Sequence, residues 1–264
     1  MKSDRILPLA VFLTLLAGWE GIVRGLGIAP YILPAPSLIL STLAEDWTIL
    51  SASLWVTLRI TAAALVLATM IGVAIAILFA QFRWLERSFL PVAVILQVTP
   101  IIAIAPLLLV YLEPGSAVLA CAFLVAFFPV LANTALGLGS ADPNLRDLFT
   151  LYGASAWQQM RFLRLPSALP YFLGGLRIAG GLALIGAIAA EIAAGAAGQG
   201  AGLAYRIVEA GYRLNIPRMF ASLALISVAG IAIYSALEFI SQRALRRWTE
   251  ASRPKGQASA FTDI

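Results

Sequence analysis

The sequence predicts an all-α polytopic membrane protein of about six spanning helices, one of its connections long and patterned. Three observations carry this. Of 264 residues, 61% are hydrophobic and 12% charged, with mean hydropathy +0.92, more apolar than a soluble domain of this length presents to water. The apolar residues fall into six long runs, 6–28, 54–80, 90–112, 116–138, 178–197 and 216–240, each near the roughly 20 residues that cross a bilayer. The cationic side chains gather between and after those runs, as orientation in a membrane requires.

Composition also excludes chemistry. There is no histidine and a single cysteine, Cys121, inside the apolar run AVLACAFLVAFF. Disulfide frameworks, zinc sites and Ser/His/Asp or Cys/His triads are therefore not available to this chain, and no catalytic or metal-ligating residue is expected. The net charge of +5 and pI near 9.7 raise nucleic acid as a partner. The placement of the basic residues fits a lipid bilayer better, and no nucleic-acid role is expected.

The first run follows Lys2 and Arg5. A cleaved signal peptide is the competing reading, but no A-x-A-like site followed by a polar start appears, so an uncleaved span is expected. The next segment, PYILPAPSLILSTLAEDW, reads as a turn and a short interfacial helix ending at Glu45 and Asp46, with Trp47 as an anchor. Lys2, Arg5, Arg83, Arg87, Arg146, Arg161, Arg164, Arg177, Arg243, Arg246, Arg247, Arg253 and Lys255 fall on one side of six spans. Arg24, Arg206, Arg213 and Arg218 fall on the other, with Arg59 near the start of the second span. The positive-inside rule places both termini in the cytoplasm, although the last three external arginines run against the bias. Residues 1–250 are expected to form a single transmembrane domain, and 251–264 a polar, disordered cytoplasmic tail.

The connection at 139–172, SADPNLRDLFTLYGASAWQQMRFLRLPSALP at its centre, is too long for a plain loop. Asp142 before Pro143 reads as an N-cap with proline at the first helical position. Leu145, Leu148, Phe149 and Tyr152 then form one apolar face. Gly153 stops that helix through a left-handed turn. Ser155 and Gln158 are spaced as a capping box for a second short helix, with Trp157, Met160 and Leu163 on one face, ended by Pro166 and Pro170. Such a knob either rests on anionic headgroups or docks onto a cytoplasmic partner.

Gly153, nine intervening residues and then Leu163-Arg164-Leu165-Pro166 resemble the EAA loop of binding-protein-dependent ABC importer permeases, patterned E-A-A-x-x-x-G, nine residues, I-x-L-P. The E-A-A positions are Asp147, Leu148 and Phe149 here, so the acid is kept in kind while two small residues have become large. YILPAPS, QVTPIIAIAPLL, FFPVLANT, LPYFLGGLRIA and the glutamate late in the fifth span are similar to the nitrate/sulfonate/taurine/bicarbonate branch, which also includes permeases for thiamine-pyrimidine precursors. The resemblance implies a bacterial inner-membrane permease. Its coupling loop, with Asp147, Leu148, Phe149, Gly153, Ala154, Trp157, Leu163, Leu165 and Pro166, would insert into an ABC ATPase present in two copies. It further implies a second permease chain, as a homodimer, and an external substrate-binding protein. The sequence contains no G-x-x-x-x-G-K-[ST] phosphate loop, so ATP and Mg are expected on the partner ATPase, whose closure would rock the permeases between inward-open and outward-open states.

Polar residues within the spans are the candidate translocation path. Gln97 and Thr99 lie beside Pro100 in the third run, and a buried amide there either bonds a neighbouring helix or faces a watered path. Asn133 and Thr134, after Pro129, are read as path, capping or packing. Ala179, Ala183 and Ala187 form a small-residue row for close approach, across a dimer or beside the substrate route. Glu191 continues that row as a gate or an interfacial residue. Arg59 snorkels outward, or pairs with Glu191 or with a substrate anion. An intramembrane enzyme would need groups the chain lacks; a channel or ion-coupled secondary transporter leaves the glycine-centred loop unexplained; the loop pattern also disfavours an exporter or a lipid-handling permease. With neutral Gln97 in the third run and no arginine seen in the inner parts of the third to fifth spans, the cargo reads as a thiamine-pyrimidine-like heterocycle. A sulfonate, taurine, nitrate or bicarbonate anion is the alternative.

Overall fold

The computed structural model describes the backbone of residues 3–195 and 200–252; side chains at 3–6, 8–9 and 247–252 lie outside the described set. The tail expected at 251–264 falls almost wholly outside it. Every element described is helical: α1 Ser3–Gly25, α2 Pro36–Glu45, α3 Trp47–Gln81, α4 Arg83–Val98, α5 Ile101–Tyr111, α6 Pro114–Gly139, α7 Pro143–Leu151, α8 Ala156–Gln159, a π turn at Met160–Arg164, α9 Leu165–Ala194, α10 Leu203–Tyr212 and α11 Ile216–Ser252.

Over its described residues each of the six apolar runs is mainly helix. Among the described residues four helices are long and apolar enough to cross a membrane, or five if α4 and α5 together make one span; α1, part of whose side chains lie outside the description, adds 23 residues over the first run. The third run is not the single helix expected. It stops at Val98, with Thr99 extended at ψ 124°, because Pro100 has no N–H to donate and disfavours helical backbone in the residue before it. The helix restarts at Ile101.

The fifth run is the opposite case. Pro166 and Pro170 were expected to end a short helix, yet helix is continuous over Ala156–Ala194. At Pro166 the π turn supplies the reason: the Leu165 N–H donates to the Met160 carbonyl, five residues back, and this wider turn opens room before the Pro166 ring; Pro170 lies inside α9 with no such turn before it. Arg177, expected in a connection, consequently sits inside α9.

The chain divides into two compact units. The first comprises Met1–Ile60, Ile101–Leu119 and Ala187–Gly230, the second Thr61–Pro100, Ala120–Gly186 and the chain from Ile231. In the first, Leu50, Leu203 and Ala221 are buried with Ile39, Leu225 and Ile226, and the Trp19 and Phe220 rings meet at 5.9 Å and 55°. The second has a core of Phe79, Leu131, Leu138 and Met160 and a seam of small side chains, where Ala179 and Ala183 of α9 pack on Ala68, Ala126 and Val130. That part of the alanine row therefore packs within the chain. Small side chains let helices approach until backbone contacts do the packing; a Cβ on Gly175 would stand 2.7 Å from both the Asn133 Cβ and the Pro129 carbonyl oxygen.

Candidate coupling site and the polar residues of the spans

The α7–α8 connection is built from local capping. Asp142 accepts from the Asn144 N–H at 2.8 Å, and Pro143 takes the first helical position, where its missing donor costs nothing. At the other end Gly153 adopts φ +68°. The Ala154 N–H donates to Phe149 O at 2.9 Å and the Gly153 N–H to Thr150 O at 3.0 Å, the paired bonds of a Schellman stop. The Gln158 N–H then donates to Ser155 Oγ at 3.3 Å, and the Ser155 N–H to Gln158 Oε1 at 2.7 Å, a complete capping box. Gln159 Nε2 reaches back to Thr150 Oγ1 at 3.3 Å. The two short helices are thus held as one piece.

Their side chains separate into two groups. Asp147, Leu148 and Trp157 are exposed, as are Leu145, Leu151 and Tyr152, with Leu151 at 85%. Phe149, Ala154, Leu165 and Pro166 are half-buried. Met160 and Leu163 are buried, Met160 inside the second unit's core. Trp157, Met160 and Leu163, expected on one face, differ in burial: Trp157 is 63% exposed, whereas Met160 and Leu163 are buried. Arg164 fastens this segment to the end of α3, its Nη1 donating to Ala80 O at 3.0 Å.

Gln97, Thr99 and Pro100 are exposed at the α4–α5 break. Thr99 Oγ1 donates to Ile95 O at 2.8 Å, which turns its polarity back into the helix end. The Gln97 side chain makes no hydrogen bond among the described residues. Asn133 is half-buried, its Nδ2 donating to Pro129 O at 2.9 Å, and neighbouring Thr134 is buried with its hydroxyl unpaired among the described residues.

Glu191 belongs to the first unit, whereas Gln97, Thr99, Pro100 and Asn133 belong to the second. Glu191 is 5% exposed. Its Oε1 accepts from Thr57 Oγ1 at 2.8 Å and its Oε2 from the Ala204 N–H at 3.0 Å, while Thr57 Oγ1 accepts from the Leu203 N–H at 2.9 Å. Gly202, the N-cap of α10, has no capping side chain, so a carboxylate and a hydroxyl from two spanning helices do the capping. Glu20 of α1 does the same for α2: Ser37 donates to it from N–H at 3.0 Å and from Oγ at 2.7 Å. Arg59 is exposed, and Glu191 is bonded to Thr57 and Ala204 in its place.

The three arginines that ran against the charge bias are bound to acids. Arg218 grips Asp46 with Nε at 2.5 Å and Nη2 at 2.6 Å, a bidentate pair. Arg206 and Arg213 both reach Glu209, at 2.8 and 3.0 Å, and Arg206 Nε also donates to Ser53 Oγ at 2.9 Å. Arg218 ties α11 to the end of α2 and Arg206 ties α10 to α3, so these two have a packing role apart from orientation, while the Arg213–Glu209 pair lies along α10. Arg177 is likewise paired, with Glu238 of α11 at 2.6 Å. Sequence reading missed α10, both glutamate caps and the Arg177–Glu238 pair. Glu20 and Glu191 stand 17 and 13 residues from the N–H groups they cap, beyond any local capping pattern.

Residues 68–247 match the family described as "Binding-protein-dependent transport system inner membrane component". The riboflavin transport system permease protein RibX of Chloroflexus aurantiacus is 35% identical, over 93% of this chain and 90% of its own. The formylaminopyrimidine transport permease protein ThiX of Halalkalibacterium halodurans is 33% identical over 88% and 91%. A putative aliphatic sulfonates transport permease protein of Bacillus subtilis is 30% identical over 89% and 84%. A solved amino acid ABC transporter crystallised with histidines shares the fold at TM-score 0.64 and 17% identity, over 76% of this chain and 97% of that one.

Proposed function

The chain belongs to the family of binding-protein-dependent transport system inner membrane components and is an ABC transporter permease, and we propose from this that it imports a small neutral or weakly cationic heterocycle of the thiamine-pyrimidine type. Two copies would form the path in the bacterial inner membrane with both termini cytoplasmic, fed by an external binding protein. The α7–α8 knob supports the coupling role. Leu145, Leu148, Tyr152 and Trp157 are exposed on a scaffold fixed by a Schellman stop and a capping box, and apolar side chains held rigidly in water suit insertion into a protein groove. Two partner ATPases would bind ATP with Mg, and their closure would carry the knobs and rock the paired permeases.

The observation that carries the cargo assignment is the state of the polar groups at mid-chain. Gln97 offers an unpaired amide at the α4–α5 break, whereas Arg177, the guanidinium within α9, is neutralised by Glu238. An amide that both donates and accepts suits a ring with both functions; an anion would gain most from a free cation. Relatives named for riboflavin and for formylaminopyrimidine cover about nine-tenths of the chain. Calorimetry on the partner binding protein, titrated with a hydroxymethylpyrimidine, riboflavin, taurine, an alkanesulfonate, nitrate and bicarbonate, tests the assignment. Tight binding of a heterocycle supports it; tight binding of an anion with none of either heterocycle overturns it in favour of the sulfonate reading.

A further inference from the structure

We propose that the chain holds one anionic phospholipid, its phosphate in a cavity lined by Arg83, Arg146 and Arg164 and an acyl chain in the apolar groove beside it. The cavity, about 190 Å³, lies in the second unit where α3 ends, α4 begins, α6 ends and α7 approaches the π turn. Glu86 is the acid on its wall, against three guanidiniums. The side chains of Arg83, Glu86 and Arg146 make no hydrogen bond or ion pair among the described residues, and the charges of Arg146 and Arg83 both bear on Arg164. Arg164 spends one donor on the Ala80 carbonyl.

Three converging cations repel one another unless an anion sits among them. Arginine presents a planar fork of donors that matches phosphate oxygens in pairs. The helix adds to the field, since α4 begins at Arg83 and its N-cap Phe82 provides no side-chain acceptor, which leaves the positive end of the helix turned on the same corner.

The neighbouring surface distinguishes a lipid from free phosphate. Phe79 lines the cavity and also a groove of about 300 Å³ between α3, α4 and α6, whose other walls include Ile75, Leu85, Phe89, Leu96 and Leu131. A basic corner sharing its Phe79 wall with an apolar groove has the polarity of a phospholipid. Free phosphate would use the arginines and leave the groove unfilled. The site does not enter the cargo assignment, whereas Arg146 of α7 and Arg164 of the π turn belong to the same segment as the knob; lipid retention by the chain alone is therefore read without the ATPase.

Native mass spectrometry of the full chain purified in detergent tests this, with dioleoyl-phosphatidylglycerol, dioleoyl-phosphatidylcholine or glycerol 3-phosphate added. Retention of phosphatidylglycerol is expected to exceed that of phosphatidylcholine by about fivefold or more, the equivalent of one arginine facing a net-anionic headgroup in place of a zwitterion whose choline ammonium offsets its phosphate. Arg83→Gln and Arg146→Gln should each lower the ratio toward one, Arg146→Lys should keep part of it, and Arg87→Gln, on the same helix outside the cavity, should leave it unchanged. A wild-type ratio near one overturns the proposal, as does an unchanged ratio in both glutamine variants. If glycerol 3-phosphate binds as tightly as the lipid, the groove contributes nothing and the site is one for free phosphate.

Discussion

Gly202 and Glu191 constrain each other through volume. A Cβ on Gly202 would overlap both carboxylate oxygens of Glu191, so Gly202→Ala must push the carboxylate off the Ala204 N–H and the Thr57 hydroxyl. A cost of about 1–3 kcal/mol is expected from such overpacking, read as a lowered unfolding midpoint in detergent. An unchanged midpoint would mean that the carboxylate does not occupy this place. Charge at the same end of the molecule gives a pH dependence. The Glu209 carboxyl on α10 is held below its ordinary value of 4.5, first by the hydrogen bond from Arg206, against the opposing effect of burial, with the charges of Arg206, Arg213 and Arg218 adding to it. A carboxyl depressed in the folded state stabilises the fold at pH above its unfolded value, and loses that contribution as the pH falls through its folded one. The midpoint should therefore fall more steeply below about pH 4.5 in the parent protein than in Glu209→Gln, which has no such contribution to lose. Parallel pH profiles would refute the linkage.

Short helices in this protein are fixed in two ways, and the difference decides what their mutation does. α2 and α10 borrow their caps from spanning helices, through Glu20 and Glu191 with Thr57. α7 and α8 carry their own, in Asp142, the Schellman stop at Gly153 and the Ser155–Gln158 box. The latter pair can therefore expose an apolar face without losing its shape. Leu148→Asp and Trp157→Ala, both at exposed positions, should move the unfolding midpoint little while reducing co-purification of the partner ATPase and transport in cells. Met160→Ala, by contrast, opens a cavity in the second unit's core and should cost about 2–5 kcal/mol. Wild-type ATPase recovery from both surface variants would remove the docking role. Gly153→Val acts between these cases. A Cβ there meets nothing within 4 Å, so its penalty comes from φ +68° alone, and it should misplace both short helices and impair coupling through geometry.

At the scale of the whole molecule, orientation is the property to test. Single cysteines in a Cys121→Ala background should label oppositely with an impermeant thiol reagent, Glu45→Cys at the end of α2 in intact cells and Leu151→Cys at the end of α7 after lysis. Both positions are exposed. Asp46 is unsuitable for this purpose because its removal would strand Arg218. Equal labelling of both cysteines in intact cells would refute cytoplasmic termini with the α7–α8 knob inside.

The sequence by itself determined the features that depend on neighbours along the chain. Apolar run length marked every long helix, Asp142-Pro143 and Ser155–Gln158 marked two helix starts, and Gly153 marked a stop, because capping and hydrophobic length act within a few residues. The EAA-like spacing reached further and pointed to the family. The tertiary structure alone decided what depends on contacts between distant segments. It broke the third run at Pro100 yet joined the coupling segment to the fifth run through Pro166, where a π turn makes room, and through Pro170, which sits inside α9 as Pro91, Pro106 and Pro129 sit inside α4, α5 and α6. It turned Glu191 into the cap of a helix that no local pattern announced. It bound the contrary arginines to Asp46 and Glu209, and Arg177 to Glu238. For Glu191 and the Arg177–Glu238 pair the physical reason is that a polar group taken out of water gains a partner, and the sequence states that requirement without naming the partner.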